Sequence, residues 1–255
     1  MKRLLMRADD LGYSDGVNYG ILKAASSGLI RSIGVMTNMP YARQGILNLK
    51  GLPICFGQHT NICVGRPLCD PKMIPSLCNE NGEFKKSKTY REAKAENKDF
   101  VVVEEAVLEI EAQYQQFLSL VGSEPGYFEA HAVASDNFYK ALEIVADRHG
   151  LSYLPMSFDG SPVYFRNTRI YSYMPKDFKA YENNPIDAVK DAVANAHDDG
   201  CDMMVFHPGY IDAYLYRTSS MTIPRIIEAE MLCDPNTKEW LQKQDIELVT
   251  FDDLK

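Results

Sequence analysis

Short apolar segments alternate with longer amphipathic segments along nearly the whole chain. Short apolar segments bounded by turn residues predict buried strands, whereas apolar positions at intervals of three and four predict helices that pack on one face. The predicted strands span residues 3–8, 33–39, 54–59, 127–131, 153–156, 203–207 and 247–251. The predicted helices span residues 16–27, 101–121, 136–149, 185–196, 224–232 and 235–243.

This order of strands and helices predicts an α/β fold with a parallel sheet and helices outside it. No linker, internal repeat or low-complexity segment divides the 255 residues, so we expect one domain over residues 1–255. Two segments, at about 64–99 and 157–184, are too long for ordinary connections and are typical of lids or binding loops. The second is rich in aromatic residues, for which a sugar-binding wall and ordinary packing are equally good interpretations.

Two adjacent carboxylates, Asp9 and Asp10, follow the first predicted strand. They repel one another at the end of a buried strand, so folding alone does not favour the pair. Such a pair indicates that a cation is held, that a proton is moved, or both. The structural alternative is that one of them caps the next helix, although Ser14 is closer to the start of that helix.

Three histidines lie at the ends of later predicted strands: His59, His131 and His207. In a parallel α/β barrel the carboxyl ends of all strands lie on one face, where the active site forms. A single histidine beside apolar residues is usually a core residue. Because four separate strand ends carry such groups, we predict that they converge on one site.

The other two histidines, His149 and His197, lie at the ends of predicted helices. An imidazolium can interact favourably with the carboxyl end of a helix. We therefore predict that both are structural and lie outside the site.

The strand-end residues are sufficient for metal-assisted hydrolysis of an amide or ester. One carboxylate and two neutral imidazoles can hold a divalent ion and leave positions open for water and substrate. A second carboxylate beside that ion could accept a proton from water. His207 could donate a proton to a leaving amine when it is charged near neutral pH.

Composition argues against several other classes of protein. The net charge is −8 and the lysines and arginines are scattered, so we expect neither a nucleic acid nor an anionic membrane as partner. We identify no signal peptide and no apolar segment of about 20 residues that could span a bilayer. The six cysteines contain no closely spaced pair, so we interpret them as reduced thiols of a cytoplasmic protein. The oligomeric state, including a homo-oligomer, stays open.

Several motifs of the chain are shared with one known family. They are Arg7-Ala8-Asp9-Asp10-Leu11-Gly12-Tyr13-Ser14 with Gly16-Val17-Asn18-Tyr19-Gly20-Ile21, Gly57-Gln58-His59-Thr60-Asn61 with Gly65-Arg66-Pro67-Leu68, Ile74-Pro75-Ser76-Leu77 with Asn81-Gly82-Glu83-Phe84, and Phe206-His207-Pro208-Gly209-Tyr210-Ile211-Asp212, followed by Arg225 and Glu228. The chain resembles the YdjC-like carbohydrate deacetylases, which include chito-oligosaccharide deacetylase. The matches run from near residue 3 to residue 253.

The resemblance implies a distorted (β/α) TIM-like barrel of the polysaccharide deacetylase type. It implies a metal held by Asp10, His59 and His131, with Asp9 as general base and His207 as general acid. The implied cation is magnesium as first choice, and zinc is the alternative that the imidazole-rich set favours. The implied substrate is a small N-acetylated sugar or chito-oligosaccharide.

One block departs from the family pattern Asp-Ser-His-His-His-Val-His. Here it reads Glu129-Ala130-His131-Ala132-Val133-Ala134-Ser135, so only the metal-binding histidine is kept. Two rival functions stay open. One is a metal-dependent hydrolase of another amide or a phosphoester, because the same ion and base would serve that reaction. The other is a non-catalytic sugar-binding protein, which the altered block makes conceivable. No cluster of arginines beside the motifs favours phosphate, and mere binding would require neither Asp9 nor His207.

Overall fold

A computed structural model describes residues 2–157 and 160–255. The strands are β1 (Lys2–Leu11), β2 (Ser32–Val35), β3 (Cys55–Thr60), β4 (Phe128–Ala130), β5 (Val163–Phe165), β6 (Thr168–Ser172), β7 (Cys201–Phe206) and β8 (Ile246–Val249). The helices are α1 (Asp15–Ser27), α2 (Ala42–Asn48), α3 (Ser87–Ala95), α4 (Val103–Val121), α5 (Asp136–His149), α6 (Phe178–Asn183), α7 (Pro185–Ala194), α8 (Ala213–Thr218), α9 (Ile223–Cys233) and α10 (Pro235–Gln242).

The strands form one sheet in the order β4-β3-β2-β1-β7-β6-β5, and β8 pairs with the first half of β1. Every pairing between these strands is parallel except the hairpin of β5 and β6. The sheet curls into a half-barrel. The prediction of an α/β fold with a distorted barrel is therefore confirmed.

The two faces of β1 enter different hydrophobic clusters. Leu4, Met6 and Ala8 pack in one cluster with residues of α1, whereas Leu5 packs with core residues that include Tyr127 and Met203. Because strand side chains alternate between faces, Arg7 and Asp9 share the inner face with Leu5. The polar residues of β1 therefore lie directly above an apolar layer of the half-barrel.

Gly57 of β3 shows how tightly this interior is filled. A Cβ atom built at Gly57 would lie 2.3 Å from the Tyr127 ring. That ring also stacks on Phe251, with centroids 4.0 Å apart. Glycine is required at position 57 because the tyrosine ring occupies the space of its side chain.

The longest helices follow their predicted bounds closely, since α5 spans Asp136–His149 and α4 spans Val103–Val121. Helix α1 ends at Gly28, which adopts a left-handed conformation with φ of 87°. The strand predicted at 33–39 ends at Val35, and the one predicted at 153–156 is only a bridge between Tyr153 and Phe128. Short elements, among them α2, α8, β5 and β6, were not predicted.

The two long segments contain regular structure of their own. Helix α3 lies in 64–99, and β5, β6 and α6 lie in 157–184. Residues 158 and 159 of the second segment lie outside the described residues. Among the helices described, none combines the length and the apolar character that crossing a bilayer requires.

Candidate active site

Three of the predicted site residues meet at the carboxyl ends of neighbouring strands. Oδ1 of Asp10 lies 3.3 Å from Nε2 of His59 and 3.1 Å from Nδ1 of His131. The two imidazole nitrogens lie 2.8 Å apart. All three side chains are buried. Residues that are far apart in the chain therefore present one oxygen and two nitrogens to a single point.

This donor set fits a divalent cation. Oδ1 of Asp10 is buried and, within the described part of the chain, has no hydrogen-bond partner. A carboxylate oxygen with two imidazole nitrogens is a common ligand set for divalent metals. The cluster of Asp10, His59 and His131 has its potential ligand atoms within 4.8 Å of one another.

Protons compete for the same imidazole nitrogens. Burial alone would lower the pKa of His131, but the Asp10 carboxylate raises it to about 9. Burial likewise opposes a charge on His59, yet Glu129 and Asp9 raise its pKa well above the usual value. Because a metal needs neutral imidazoles, binding of a cation would release protons from this cluster.

A bulge at the end of β1 directs Asp10 into the cluster. The register between β1 and β2 shifts between Ala8 and Leu11, and Asp10 has a φ of 74°. A bulge lets two consecutive side chains turn toward one side of a strand. Aspartate is among the few residues besides glycine that adopt positive φ readily.

Arg225 of α9 fixes the other oxygen of Asp10. Its Nη2 lies 2.6 Å from Oδ2 of Asp10, and its Nη1 donates to the backbone carbonyl of His207 at 3.4 Å. Although burial raises the pKa of Asp10, Arg225 and His131 lower it well below the usual value. The carboxylate is therefore ionised, and its Oδ1 is turned toward the two histidines.

Arg7 and Glu129 form a second chain of contacts beside Asp9. Nη2 of Arg7 lies 2.7 Å from Oδ2 of Asp9 and 3.4 Å from Oε2 of Glu129. Oε1 of Glu129 accepts a short hydrogen bond from Nδ1 of His59. This contact orients the ring so that Nε2 faces Asp10, the arrangement typical of metal-binding histidines.

The remaining oxygen of Asp9 is held in a tight space. Oδ1 of Asp9 is buried without a hydrogen-bond partner among the described residues. A Cβ atom built on Gly34 would lie 2.8 Å from this oxygen and 3.1 Å from Cβ of His59. Glycine at position 34 therefore leaves the space that Asp9 and His59 need.

Arg7, Glu129 and Arg225 are not among the site residues that the sequence predicts. Arg7 precedes Asp9 by two positions, and Glu129 precedes His131 by two. Since strand side chains repeat their direction every second residue, this spacing indicated a shared face. Arg225 contacts Asp10 from a helix that lies 215 positions later in the chain. No local sequence pattern links two positions that far apart.

His207 follows β7 and lies at the edge of the site. Its backbone N–H donates to Oε2 of Glu228 in α9. Burial lowers the pKa of the His207 imidazole to about 4, although Asp10 opposes this shift. The ring is therefore neutral at neutral pH before substrate binds.

The residues expected to be structural lie elsewhere. His149 pairs with Glu111 at 2.7 Å, and His197 pairs with Asp202 at 2.8 Å. The side chain of Ser14 caps α1 by accepting from the backbone N–H of Val17. Neither Asp9 nor Asp10 is thus the cap of that helix.

A cavity of about 380 Å³ opens beside the cluster. Arg7, Glu129, His207 and Glu228 line its polar side. Among the aromatic residues of segment 157–184, Tyr173, Phe178 and Tyr181 line its wall, whereas Phe165 packs in the core, and Tyr164 and Tyr171 contact Arg169 or Asp199.

Comparison with known proteins agrees with the motifs. The family described as YdjC-like protein matches residues 3–243. A carbohydrate deacetylase of Geobacillus stearothermophilus is 31% identical, with 97% of this chain and 96% of that protein covered. A chitooligosaccharide deacetylase of Serratia marcescens is 29% identical and covers 99% of each chain.

Solved structures show the same fold. A protein of Enterococcus faecalis V583 named for cellobiose-phosphate cleavage superposes with a TM-score of 0.82, at 22% identity, over 99% of this chain and 98% of that one. The T48 deacetylase, solved with substrate, gives a TM-score of 0.51 at 12% identity over 98% and 89% of the two chains. At these identities the likeness concerns the fold alone.

The buried Glu228 leads to a prediction about stability. Burial raises its pKa from 4.5 to about 7, so the folded protein holds a proton that the unfolded chain releases. Its contribution to stability is therefore complete below about pH 4.5 and is lost as the pH rises through 7. We expect Glu228→Gln, which cannot ionise, to raise the Tm by about 5 °C at pH 8.5 and by less than about 2 °C at pH 5.

Thermal unfolding followed by circular dichroism at both pH values measures this difference. Glu230→Gln, exposed on the same helix, is the matched control and should shift neither Tm. An equal Tm shift at both pH values would contradict the assigned titration of Glu228.

Proposed function

The chain belongs to the YdjC-like protein family, and from that premise we propose that it is a metal-dependent carbohydrate deacetylase. It removes N-acetyl groups from a small acetylated sugar or a chito-oligosaccharide-like substrate. The observation that carries the proposal is the buried Oδ1 of Asp10, which lies 3.3 Å and 3.1 Å from imidazole nitrogens of His59 and His131 and has no hydrogen-bond partner among the described residues. The Arg7-bound Asp9 lies beside it. The names of the relatives support the substrate class.

Asp10, His59 and His131 are the residues that would hold the cation. A bound divalent cation supplies a Lewis acid for the amide carbonyl and makes water a stronger nucleophile. Arg225 keeps Asp10 ionised and oriented, and Glu129 holds the His59 ring. The protein thus arranges its donor atoms before the substrate arrives.

Asp9 acts as the general base. Arg7 holds one of its oxygens, so Oδ1 is the atom that accepts a proton from water. As the water oxygen bonds to the acetyl carbon, that proton passes to Asp9. The C–N bond then breaks, acetate leaves, and the amine nitrogen must gain one proton.

His207 is the proposed donor of the proton to the amine. Its pKa of about 4 means that the resting imidazole is neutral. It must therefore take up a proton from solvent during turnover, when negative charge develops on the reacting amide beside it, and Asp9 then releases to solvent the proton that it took from water. If it does not, Asp9 can return to the amine the proton that it took from water.

The identity of the cation is a finer proposal. The family resemblance implies magnesium, but magnesium prefers oxygen ligands, and zinc suits a site with two imidazoles. We propose that zinc binds this site more tightly than magnesium does. Magnesium would then support turnover only at a much higher free concentration.

The phosphoester alternative receives no support from the arginines of the site. Arg7 is paired with Asp9 and Glu129, and Arg225 is paired with Asp10. Both guanidinium groups are already compensated by carboxylates. A cytoplasmic location also remains a proposal, and the six free cysteines, four of them buried, support a reducing compartment.

Release of acetate tests the proposed reaction. We expect acetate from N-acetylglucosamine or its di- and trisaccharides, complete loss of turnover with a chelator, and recovery when zinc or magnesium is added back. Enzyme-coupled acetate detection measures the product, and metal analysis after dialysis measures binding. Activity that survives metal depletion, or no acetate from any N-acetyl sugar with metal bound, would refute the proposal.

Two variants separate the base from the metal ligands. Asp9→Asn removes the proton acceptor but leaves Asp10, His59 and His131, so we expect kcat to fall about 10²–10⁴-fold with metal content unchanged. His131→Ala removes one ligand, so we expect loss of the metal itself. Asp15→Asn, exposed in α1, and His149→Ala are the controls. Normal turnover of Asp9→Asn would exclude it as base, and normal metal content of His131→Ala would exclude it as ligand.

His207→Gln tests the proton donor. We expect kcat to fall about 10²-fold or more with little change in KM, because glutamine can contact the amide but cannot carry the proton. Steady-state kinetics of the metal-loaded enzyme provide the measurement. A loss of only a few-fold would show that His207 is not the donor and that Asp9 protonates the amine.

A further inference from the structure

The cavity beside the cluster extends below the strand ends into the half-barrel. Arg7 pairs in register with Val205 across β1 and β7, and both line the cavity two positions before Asp9 and His207. Leu154 and Met203, which belong to the inner apolar cluster, line it as well. The cavity therefore reaches deeper than the residues that would meet the amide.

The lining of this cavity is mostly apolar. The buried Met203 and Met204 contribute to it together with tyrosine and phenylalanine rings, whereas Met156 and Met174, which are 43% and 62% exposed, line it toward solvent. Several of its polar atoms already have partners: the Tyr181 hydroxyl donates to Glu228, and that of Tyr139 donates to the carbonyl of Val133. A sugar ring buried there would have hydroxyl groups without hydrogen bonds, and this would make its binding free energy less favourable.

The position of the cavity below the strand ends determines which part of the substrate can enter it. A substrate that approaches from the strand ends keeps its sugar toward solvent, and the group beyond the reacting carbonyl points inward. That group is the acyl chain. A volume of about 380 Å³ corresponds to roughly thirteen water molecules at about 30 Å³ each, far more than an acetyl methyl group fills.

We propose that this cavity is an acyl-chain pocket, and that the protein hydrolyses N-acyl amino sugars with linear chains longer than acetyl. This inference rests on the proposed function and specifies its substrate. Water adds to the acyl carbon, the C–N bond breaks, and the products are the free amino sugar and the longer carboxylate. The pocket contributes binding through burial of methylene groups.

The main experiment compares N-acetyl-, N-propionyl-, N-butyryl- and N-hexanoylglucosamine with the metal-loaded wild-type enzyme. At about fourfold for each of the two additional buried methylene groups, we expect kcat/KM for the butyryl compound to exceed that for the acetyl compound about fifteenfold. A ratio of one or below overturns the acyl pocket while leaving the deacetylase proposal intact. No hydrolysis of any of these compounds refutes the deacetylase proposal itself.

A matched pair of substrates tests the apolar character. N-propionyl and N-glycolyl chains have the same number of heavy atoms but end in a methyl and a hydroxyl group. We expect the propionyl compound to be preferred about tenfold. Because Nε and Nη1 of Arg7 are buried without hydrogen-bond partners among the described residues, a preference for glycolyl would show that they bind the hydroxyl, and would overturn the proposal.

A second comparison tests whether the aglycone occupies the cavity instead. An aryl glycoside of N-acetylglucosamine carries its apolar group on the other side of the sugar. If this glycoside raises kcat/KM while longer acyl chains do not, the cavity holds the aglycone and the proposal is wrong. If chain length alone raises kcat/KM, the acyl assignment stands.

Filling the cavity should reverse the preference for longer chains. We expect Val205→Phe to lower the butyryl-to-acetyl ratio at least tenfold, and Leu154→Phe serves as the second variant if the first does not fold. The control is Leu108→Phe, which is exposed on α4 and should leave the ratio unchanged. Circular dichroism confirms folding, and an unaltered ratio in the folded pocket variants would overturn the proposal.

Discussion

The buried guanidinium of Arg7 is the interaction on which the rest of the site depends. It lies on the inner face of β1 and pairs with Asp9 and Glu129, while Glu129 holds the ring of His59. Without this charge the buried carboxylates of Asp9 and Glu129 would lose the guanidinium that they share, at a cost of about 3–5 kcal/mol. Burial lowers the pKa of Arg7, but the carboxylates of Asp9 and Glu129 raise it above the usual value. The guanidinium therefore stays charged.

The bulge in β1 is the second constraint, because it places neighbouring carboxylates in different surroundings. Asp9 contacts Arg7 within the strand, whereas Asp10 turns at positive φ toward the histidines and Arg225. Each carboxylate therefore has its own arginine and one oxygen without a hydrogen-bond partner among the described residues. This separation explains how one dipeptide can supply both a metal ligand and a base in the proposed reaction.

Much of the fold was predictable because long helices carry a strong periodic signal. The bounds of α4 followed from its apolar spacing, and the ends of α1 and α5 followed from Gly28 and Gly150. The short elements were missed since three to seven residues carry too little periodicity to be distinguished from turns. The hairpin of β5 and β6 lies in a segment whose sequence predicts a loop. The sheet extends to this hairpin because β6 pairs with β7.

The sequence alone determined which residue types stand at the strand ends, and that Asp10, His59 and His131 were candidates for one site. Apolar periodicity and the alternation of strands with helices are local properties, and this alternation predicts a parallel sheet. Only the tertiary structure decided how each group is held. The link from Arg225 to Asp10, the contact between Glu129 and His59, the low pKa of His207 and the depth of the cavity all depend on contacts between distant segments. The burial of each side chain and the distances between atoms of distant segments determine these properties. Neither quantity can be derived from the local sequence.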